Sequence, residues 1–367
     1  MGEPVLDRRS LNRALLARQL LLERSTMPAA AAVEHLVGLQ AQAPFPPYYG
    51  LWSRLAGFRA EELAALLREG GVVRLVLMRG TIHLVTAEDC GRLRPVLAES
   101  LARSLQGTFG RKLDGLDLAA VAAHGRELVE REPLTLGALG DRLAERWPDR
   151  DPFALANAVR NLTPLVQTPP RAVWGEAGQA VHTSAESWLG GAPQAATSPD
   201  EVVLRYLAAF GPAGVKDAQL WSGMTRLAAS FKRLRDRLVV FRDENGQELY
   251  DLPEAPRPEP GTAAPVRYLA EFDNLLLSHA DRARILTEEQ RRAVFTRNGL
   301  IRSTILVDGF VAGLWRIDSA KGVHTLVVEP FGRLAKRART ALEREGERLL
   351  AFASDGAGVH ELRFEEA

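Results

Sequence analysis

The chain has 367 residues, 46% of them hydrophobic and 25% charged. That is enough for two or three domains and for a core that needs no covalent staples. Lysine and arginine number 47 against 46 acidic residues, a formal net charge of +1. This near-balance leaves a nucleic-acid partner open, because the field at the binding face matters more than the sum. The composition excludes a disordered or collagen-like chain. No eighteen residues run without a charge or a breaker, so no transmembrane helix is expected. The start, MGEPVLDRRS, has no apolar segment of the secretory type, and Leu6 breaks the myristoylation pattern. The single cysteine, Cys90, allows no intrachain disulfide and no cysteine-rich zinc site, which points to a reducing cytoplasm. Glu88 and Asp89 beside it oppose a thiolate, which favours a buried structural role. Arginine outnumbers lysine 42 to 5. That suits a GC-rich genome, and the planar guanidinium suits phosphate.

In chain order, LNRALLARQLLLER has apolar residues at helical spacing. Ser25 to Pro28 reads as a cap for a second helix, AAAAVEHLVGLQAQ, ended by the Pro-rich run Ala43 to Pro47. AEELAALLREG gives a further helix, and VVRLVLMRGTIHLV gives two β-like runs joined near Arg79 and Gly80. A second block repeats the plan: the helices LAAVAAHGRELVER, GALGDRLAERW and FALANAVRNLTPL, then β-like VQTPPRAVWG returning in QAVHTS. A third block is shorter. EVVLRYLAAFG, PAGVKDAQLWSG and MTRLAASFKRLRDRL precede a hairpin around Glu244, Asn245 and Gly246. After a Pro-rich linker, Pro253 to Pro265, β character returns in RYLAEFDNLLLS, IRSTILVDGFVAGLWRI and HTLVVEPF. Asp308-Gly309 marks a turn, and a basic helix, RLAKRARTALERE, closes the chain.

Helices followed by a two-stranded ribbon, three times over, predict three tandem winged-helix units. The expected boundaries are 1–112, 113–196 and 197–260, followed by a β-rich C-terminal region over 261–367. The fold class is therefore α+β. Winged helices most often bind DNA with a helix in a groove and the wing on the backbone. Two basic stretches fit this: Arg226, Lys232, Arg233, Arg235 and Arg237, and then Arg333, Lys336, Arg337 and Arg339. Each taken singly also reads as a solvated helix face. RNA is disfavoured by the 7% aromatic content, with no pair spaced as a stacking platform.

The segment with most chemical content is Gly38-Leu39-Gln40-Ala41-Gln42-Ala43-Pro44. Residues i and i+2 of a continuous helix point about 200° apart. Pro44 pushes Ala43 out of the helical region. Gln42 then falls in the last turn or just beyond, and both amides can face one cleft. The spacing also fits two exposed or helix-capping glutamines.

This LQAQ, with Leu51 to Leu55 (LWSRL) and Leu77 to Leu84 (LMRGTIHL), resembles the AlkZ-like family of bacterial DNA glycosylases. The similarity continues in Val166 to Arg171 (VQTPPR), Trp174-Gly175, Gly211-Pro212, Asp217 and Trp221 to Gly223. It ends in Phe272 to Arg282 (FDNLLLSHADR). The resemblance implies tandem winged helices around a C-shaped DNA channel and removal of alkylated bases from double-stranded DNA. A general repair branch of the family carries Gln-x-Asp, whereas a branch tied to self-resistance against bulky alkylating antibiotics carries Gln-x-Gln. Gln40 and Gln42 match the second and are the catalytic candidates.

Alkylation at guanine N7 makes the base cationic and a ready leaving group. Two amides suffice to orient water and stabilise the sugar, without strong acid-base catalysis. N7 lies in the major groove, and a bulky adduct there resists flipping into a tight pocket. Arg79 and Arg171 are the candidates for phosphate contact, joined by Lys232, Arg233, Arg235, Lys336 and Arg337. A structural ion pair is the competing role for Arg79 and Arg171. His83 and His279 read as buried, hydrogen-bonded imidazoles, and Asp273 and Asp281 as turn or closing residues. No metal motif, P-loop or dinucleotide fingerprint is present, so no cofactor is expected. A monomer located with the nucleoid is the simplest state, since no heptad pattern is evident. Two other readings are a winged-helix transcriptional regulator and a protein that sequesters the drug itself. Fold does not separate these from an enzyme; the site does.

Overall fold

The computed structural model describes residues 4–191 and 197–366. The first three residues, part of the stretch read for a targeting signal, and the boundary expected at 196 lie outside them. The architecture is α+β. A six-stranded antiparallel sheet has the order Leu39–Gln40, Ile82–Thr86, Val72–Val76, Leu165–Gln167, Val181–Ser184, Leu134–Thr135. The ribbons of the first two blocks therefore lie side by side, joined where Arg74 pairs with Gln167 and Leu75 with Val166. The third ribbon, Val239–Asp243 with Glu248–Asp251, pairs in parallel with Val5–Leu6. The C-terminal sheet has the order Arg267–Leu269, Thr304–Val307, Phe310–Ala320, Val323–Pro330, Val359–Phe364. Its last pair is parallel, so the helix Lys336–Ala353 serves as the crossover between its strands. No helix among the described residues is long and apolar enough to cross a membrane.

The first helix, Arg8–Arg18, is amphipathic as its spacing predicts, but it is not confined to the first block. Leu15 and Leu16 share a core with Tyr206, Phe210, Leu276 and Ile285. Its buried polar residues fasten segments more than 180 residues away. Asn12 donates to the carbonyls of Arg284 and Gly309. Arg18 grips both oxygens of Asp251 at 2.7 and 2.8 Å, and Gln19, just past the helix, donates to the Ala209 carbonyl. The second core lies under the Gln-x-Gln segment and contains Leu36, Leu39, Tyr48, Leu51, Leu84 and Ile305. Cys90 is buried in the first core, and burial pushes its thiol up to about 11, as its acidic neighbours suggest.

Two segments fold differently from the sequence expectation. The helix expected over AAAAVEHLVGLQAQ stops at His35. Val37 and Gly38 take left-handed φ values of 54° and 86°. The Gly38 amide bonds back to the Val33 carbonyl and the Val37 amide to Glu34, a Schellman closure. A Cβ on Gly38 would lie 2.7 Å from Val85 and 3.0 Å from the Leu84 carbonyl. The glycine is required by the close approach of the strand as much as by its dihedral. Next, the β-like reading of RYLAEFDNLLLS holds only for Arg267–Leu269. Phe272 turns the chain at φ 57°, and Asp273 accepts the Leu275 amide to cap a short helix, Asn274–Leu277. A local carboxylate cap overrides the aromatic and leucine-rich pattern.

Asp273 also receives both terminal nitrogens of Arg54 at 2.8 Å, and both side chains are fully buried. Removing one partner of such a pair strands the other charge and costs about 3–5 kcal/mol, whereas replacing both by apolar groups is far better tolerated. Arg54→Met is expected to lower unfolding free energy by about that amount in urea titrations. The pair Arg54→Met with Asp273→Leu is expected to recover most of the loss; full additivity of the two single losses would contradict the assignment.

Candidate active site

Gln40 lies in a short strand and Gln42 in the bend that follows it, not on a helix end. Gln40 ends the strand Leu39–Gln40 opposite His83, and the ladder continues with the Ala41 amide on the Ile82 carbonyl at 2.8 Å. The chain is not helical here, so the about 200° divergence of a helix does not arise. Both amides are held by the same stretch of chain, Arg79 to His83. Gln40 Oε1 accepts from Arg79 Nη2 at 2.8 Å, and Gln42 Oε1 accepts from the Ile82 amide at 3.2 Å. Gln40 is 7% exposed, while Gln42 is open to solvent.

Arg79 sits in the Met78–Gly80 turn with φ 57°, an uncommon conformation for a bulky residue. The conformation turns its guanidinium inward. Besides Gln40, it donates to the Trp221 carbonyl, and its Nη2 lies 3.4 Å from His83 Nε2. Burial, reinforced by nearby Arg282, lowers its pKa to about 10, so it stays charged at neutral pH. The sequence suggested phosphate contact for this residue; the structure places it on Gln40. His83 Nδ1 lies 3.0 Å from the Thr81 carbonyl, so that nitrogen carries the proton and Nε2 faces Arg79 as acceptor. Burial, with Arg79 beside it, lowers the imidazole pKa to about 3.

A third arginine, overlooked in the sequence, underlies the segment. Arg74 is buried in the strand Val72–Val76 and donates to the Ala41 carbonyl at 2.6 Å and the Ala43 carbonyl at 3.4 Å. Burial, with a contribution from Arg171, lowers its pKa to about 10. The signal was present in the sequence: one arginine amid VVRLV, a strand otherwise wholly apolar. Arg171 is partly buried and donates to the Gly178 carbonyl at 3.1 Å. Among the described residues no carboxylate pairs with Arg74, Arg79 or Arg171. The backbone at the segment's other flank is held by Asn274, which donates to the Gly38 carbonyl at 2.7 Å.

The remaining candidates lie apart. Lys232, Arg233 and Arg235 are exposed around the helix Ala228–Arg233. Arg233 is committed to Asp200 by two bonds, and Arg235 lies over the Tyr250 ring. Lys336 and Arg337 are exposed in the first turn of the helix Lys336–Ala353. His279 is buried between Ser278 and the Phe210 carbonyl, and Asp281 accepts the Ala283 amide.

Two clefts border the Gln-x-Gln segment. A narrow one is lined by Leu39, Gln40, Pro46, Glu271, Asp273 and Asn274. A wider one of about 430 Å³ has Pro44, Phe45, Tyr49, Glu271, Arg302 and Trp315 in its walls. Its aromatic residues are scattered over 270 positions of sequence and come together only in the fold. Tyr49 meets Trp315 at 5.8 Å between ring centroids, and Phe45 meets Trp174 at 5.7 Å.

His83 carries a testable consequence. Its pKa is lower in the folded protein than the free value near 6.5, so the unfolded chain binds more protons between the two. The contribution to stability is whole above pH 6.5 and is lost as pH falls towards about 3. His83→Gln, neutral throughout, is expected to be less stable than wild type at pH 7. The gap should narrow by about 1.4 kcal/mol per pH unit between about pH 6 and 4. A gap that stays constant in chemical denaturation across that range would show that His83 titrates normally.

Comparisons with known proteins identify the family. The model of the AlkZ-like DNA glycosylase family matches residues 33–352. The chain is similar to an interstrand DNA cross-link repair glycosylase of Streptomyces sahachiroi, 25% identical over 369 residues that cover 95% of each protein. It superposes on the solved structure of the Streptomyces sahachiroi DNA glycosylase AlkZ with a TM-score of 0.80 at 22% identity, covering 98% of this chain and 100% of the other. The chain belongs to the AlkZ-like family and is a DNA glycosylase.

Proposed function

We propose that this glycosylase hydrolyses the N-glycosidic bond of N7-alkylated guanine in duplex DNA, with bulky antibiotic adducts or cross-links as its natural substrates and self-resistance as the outcome. The observation that carries the reading is the pair of neutral amides, Gln40 and Gln42, anchored side by side by Arg79 and Ile82. Each anchor occupies one lone pair of a side-chain carbonyl and leaves the NH2 group free. Gln42, which is exposed, retains a second lone pair to receive a hydrogen from water. Gln40 retains two N–H donors for the sugar-phosphate edge.

Such a pair positions and polarises but cannot take up or supply a proton at neutral pH. It suits a base that already carries positive charge and leaves without protonation. The uncompensated guanidinium groups of Arg74, Arg79 and Arg171 beneath the segment favour an anionic backbone at its surface. Lys232, Arg235, Lys336 and Arg337 are the exposed cations assigned to the flanking phosphates. Arg171 joins them, while Arg79 acts through Gln40. The relative named as a cross-link repair glycosylase supports adducts of the cross-linking kind. One chain supplies both amides and both clefts, so the acting unit is taken as a monomer, working on the nucleoid in the cytoplasm.

The test is release of free base from a duplex containing N7-alkylguanine. Wild type is expected to release it, and Gln40→Ala/Gln42→Ala to lose about 100-fold or more in single-turnover rate while still binding DNA, as loss of preorganised polar groups does elsewhere. Equal release by both proteins would leave the amides a structural role. Unmodified or uracil-containing duplex is expected to yield no base; comparable release from it would overturn the restriction to cationic adducts.

A further inference from the structure

The reaction proposed above sets free one proton for which the two glutamines offer no acceptor. Water adds OH to C1′ of the sugar, and its second hydrogen must depart as a proton. The pair of electrons in the C1′–N9 bond goes to the cationic base and neutralises it. A group that receives the proton as the oxygen attacks contributes typically 100- to 10,000-fold to such a step.

Two carboxylates line the narrow cleft with Gln40: Asp273 and Glu271. Asp273 is fully engaged. Arg54 holds both its oxygens, and the Leu275 amide donates a further bond to Oδ1. Glu271 differs. It is partly buried, and among the described residues no hydrogen bond or ion pair involves its carboxylate. Buried or half-buried carboxylates are ordinarily paired, so an unpaired one in a cleft marks a functional site more often than a structural one. Its position is common to both clefts. Gln40 borders the narrow one, and Ala43 and Pro44, the end of the Gln-x-Gln segment, border the wide one. The backbone that carries Glu271 is fixed on both sides. Ala270 is buried before it, and Phe272, at φ 57°, donates to the Ile301 carbonyl after it.

We propose that Glu271 is the general base of this glycosylase, receiving the proton of the water that Gln42 and Gln40 orient and passing it to solvent through the wide cleft. The inference rests on the hydrolytic reading given under Proposed function. The charged and titratable groups that face the same clefts are otherwise committed. Arg302 pairs with Glu329 at 3.1 Å, and Arg316 pairs with Glu329 and with Glu365 at 3.0 Å. Tyr49 is a phenol pushed up to about 12 by burial, and Asp273 is held by Arg54. Burial raises the pKa of Glu271 itself, which moves it towards the working pH, as a base requires. A base assists the water and gives nothing to the leaving group, so the restriction to cationic adducts stands.

The experiment measures single-turnover release from duplex carrying N7-methylguanine between pH 4 and 8.5, for wild type and Glu271→Gln. DNA binding and thermal melting are followed in parallel. Wild-type rate is expected to fall about tenfold per pH unit below an apparent pKa above the ordinary glutamate value of about 4.3. The variant is expected to be 100-fold slower or more at pH 7.5, with no acid limb and with DNA affinity within twofold. His83, neutral down to about pH 3, does not supply a limb in this window. A variant within threefold of wild type, or one that keeps the same limb, overturns the role of Glu271 while leaving the glycosylase reading intact. Should the variant melt early, a wild-type profile flat from pH 4 to 8.5 overturns it equally. Wild type that binds the duplex and releases nothing overturns the N7-alkylguanine reading, and the base with it.

Discussion

The turn Glu271-Phe272-Asp273-Asn274 holds the site together, and the buried Arg54–Asp273 pair is its anchor. Arg54 closes the helix Pro46–Arg54, which starts four residues after Gln42. Asp273, capping the helix Asn274–Leu277, belongs to the turn leaving the C-terminal sheet. Their two-point contact fixes both the distance and the orientation of those elements, because a guanidinium and a carboxylate meet in one plane. Around this contact the other braces follow. Gln19 lies 3.3 Å from Arg54, and Asn274 reaches the Gly38 carbonyl just ahead of Gln40. The residues separated most widely in sequence are thus set against one another within a few bonds, and the Gln-x-Gln strand is held from both flanks.

Beneath that strand the protein keeps cations where an apolar residue would be cheaper to bury. Arg74 and Arg79 are desolvated and lack carboxylate partners. Their hydrogen bonds go to backbone carbonyls and to a glutamine. A carboxylate in place of those acceptors would neutralise the positive charge of the site. Carbonyl oxygens take only part of the N–H groups, since Arg74 Nε and Nη1 are buried without a partner, and they leave the positive charge standing. The neutral His83 fits the same scheme, since a second buried cation 3.4 Å from Arg79 would be strongly repelled. The price in stability is set against the fixed aim of Gln40, whose carbonyl has one place to go.

Much of this was legible in the sequence, and the parts that were not share a cause. The ribbons turned at Gly80, Gly246 and Gly309 follow from β-like runs flanking glycine, preceded at the last two by Asn245 and Asp308, which tolerate tight turns, and all three are present. The Gln-x-Gln pair was identified by resemblance, but its conformation was misread. A helical pattern over residues 29–42 is locally consistent, and only the tertiary approach of the strand to Gly38 explains why it ends at His35. Arg79 was assigned to phosphate because its side chain's direction depends on a left-handed φ that sequence does not announce. Glu271 and the aromatic wall of Phe45, Tyr49 and Trp315 carry no motif of their own. Their proximity is a product of how the C-terminal sheet packs on the first block, at sequence separations above 200 residues.

The distribution of chemistry across these elements has its own logic. A carboxylate at position 40 would take up the Arg79 contact of Gln40, and the guanidinium would hold it as an ion pair and depress its basicity. Glu271, supplied from the opposite wall, avoids that quenching because it stands on a different element and has no guanidinium bound to it. On the proposed roles, separation of the amides from Glu271 lets a strongly positive floor coexist with a usable base. It also leaves the space between them open as a cleft and not as a closed pocket. That suits a substrate in which the reacting sugar is small and the group attached to the base is large.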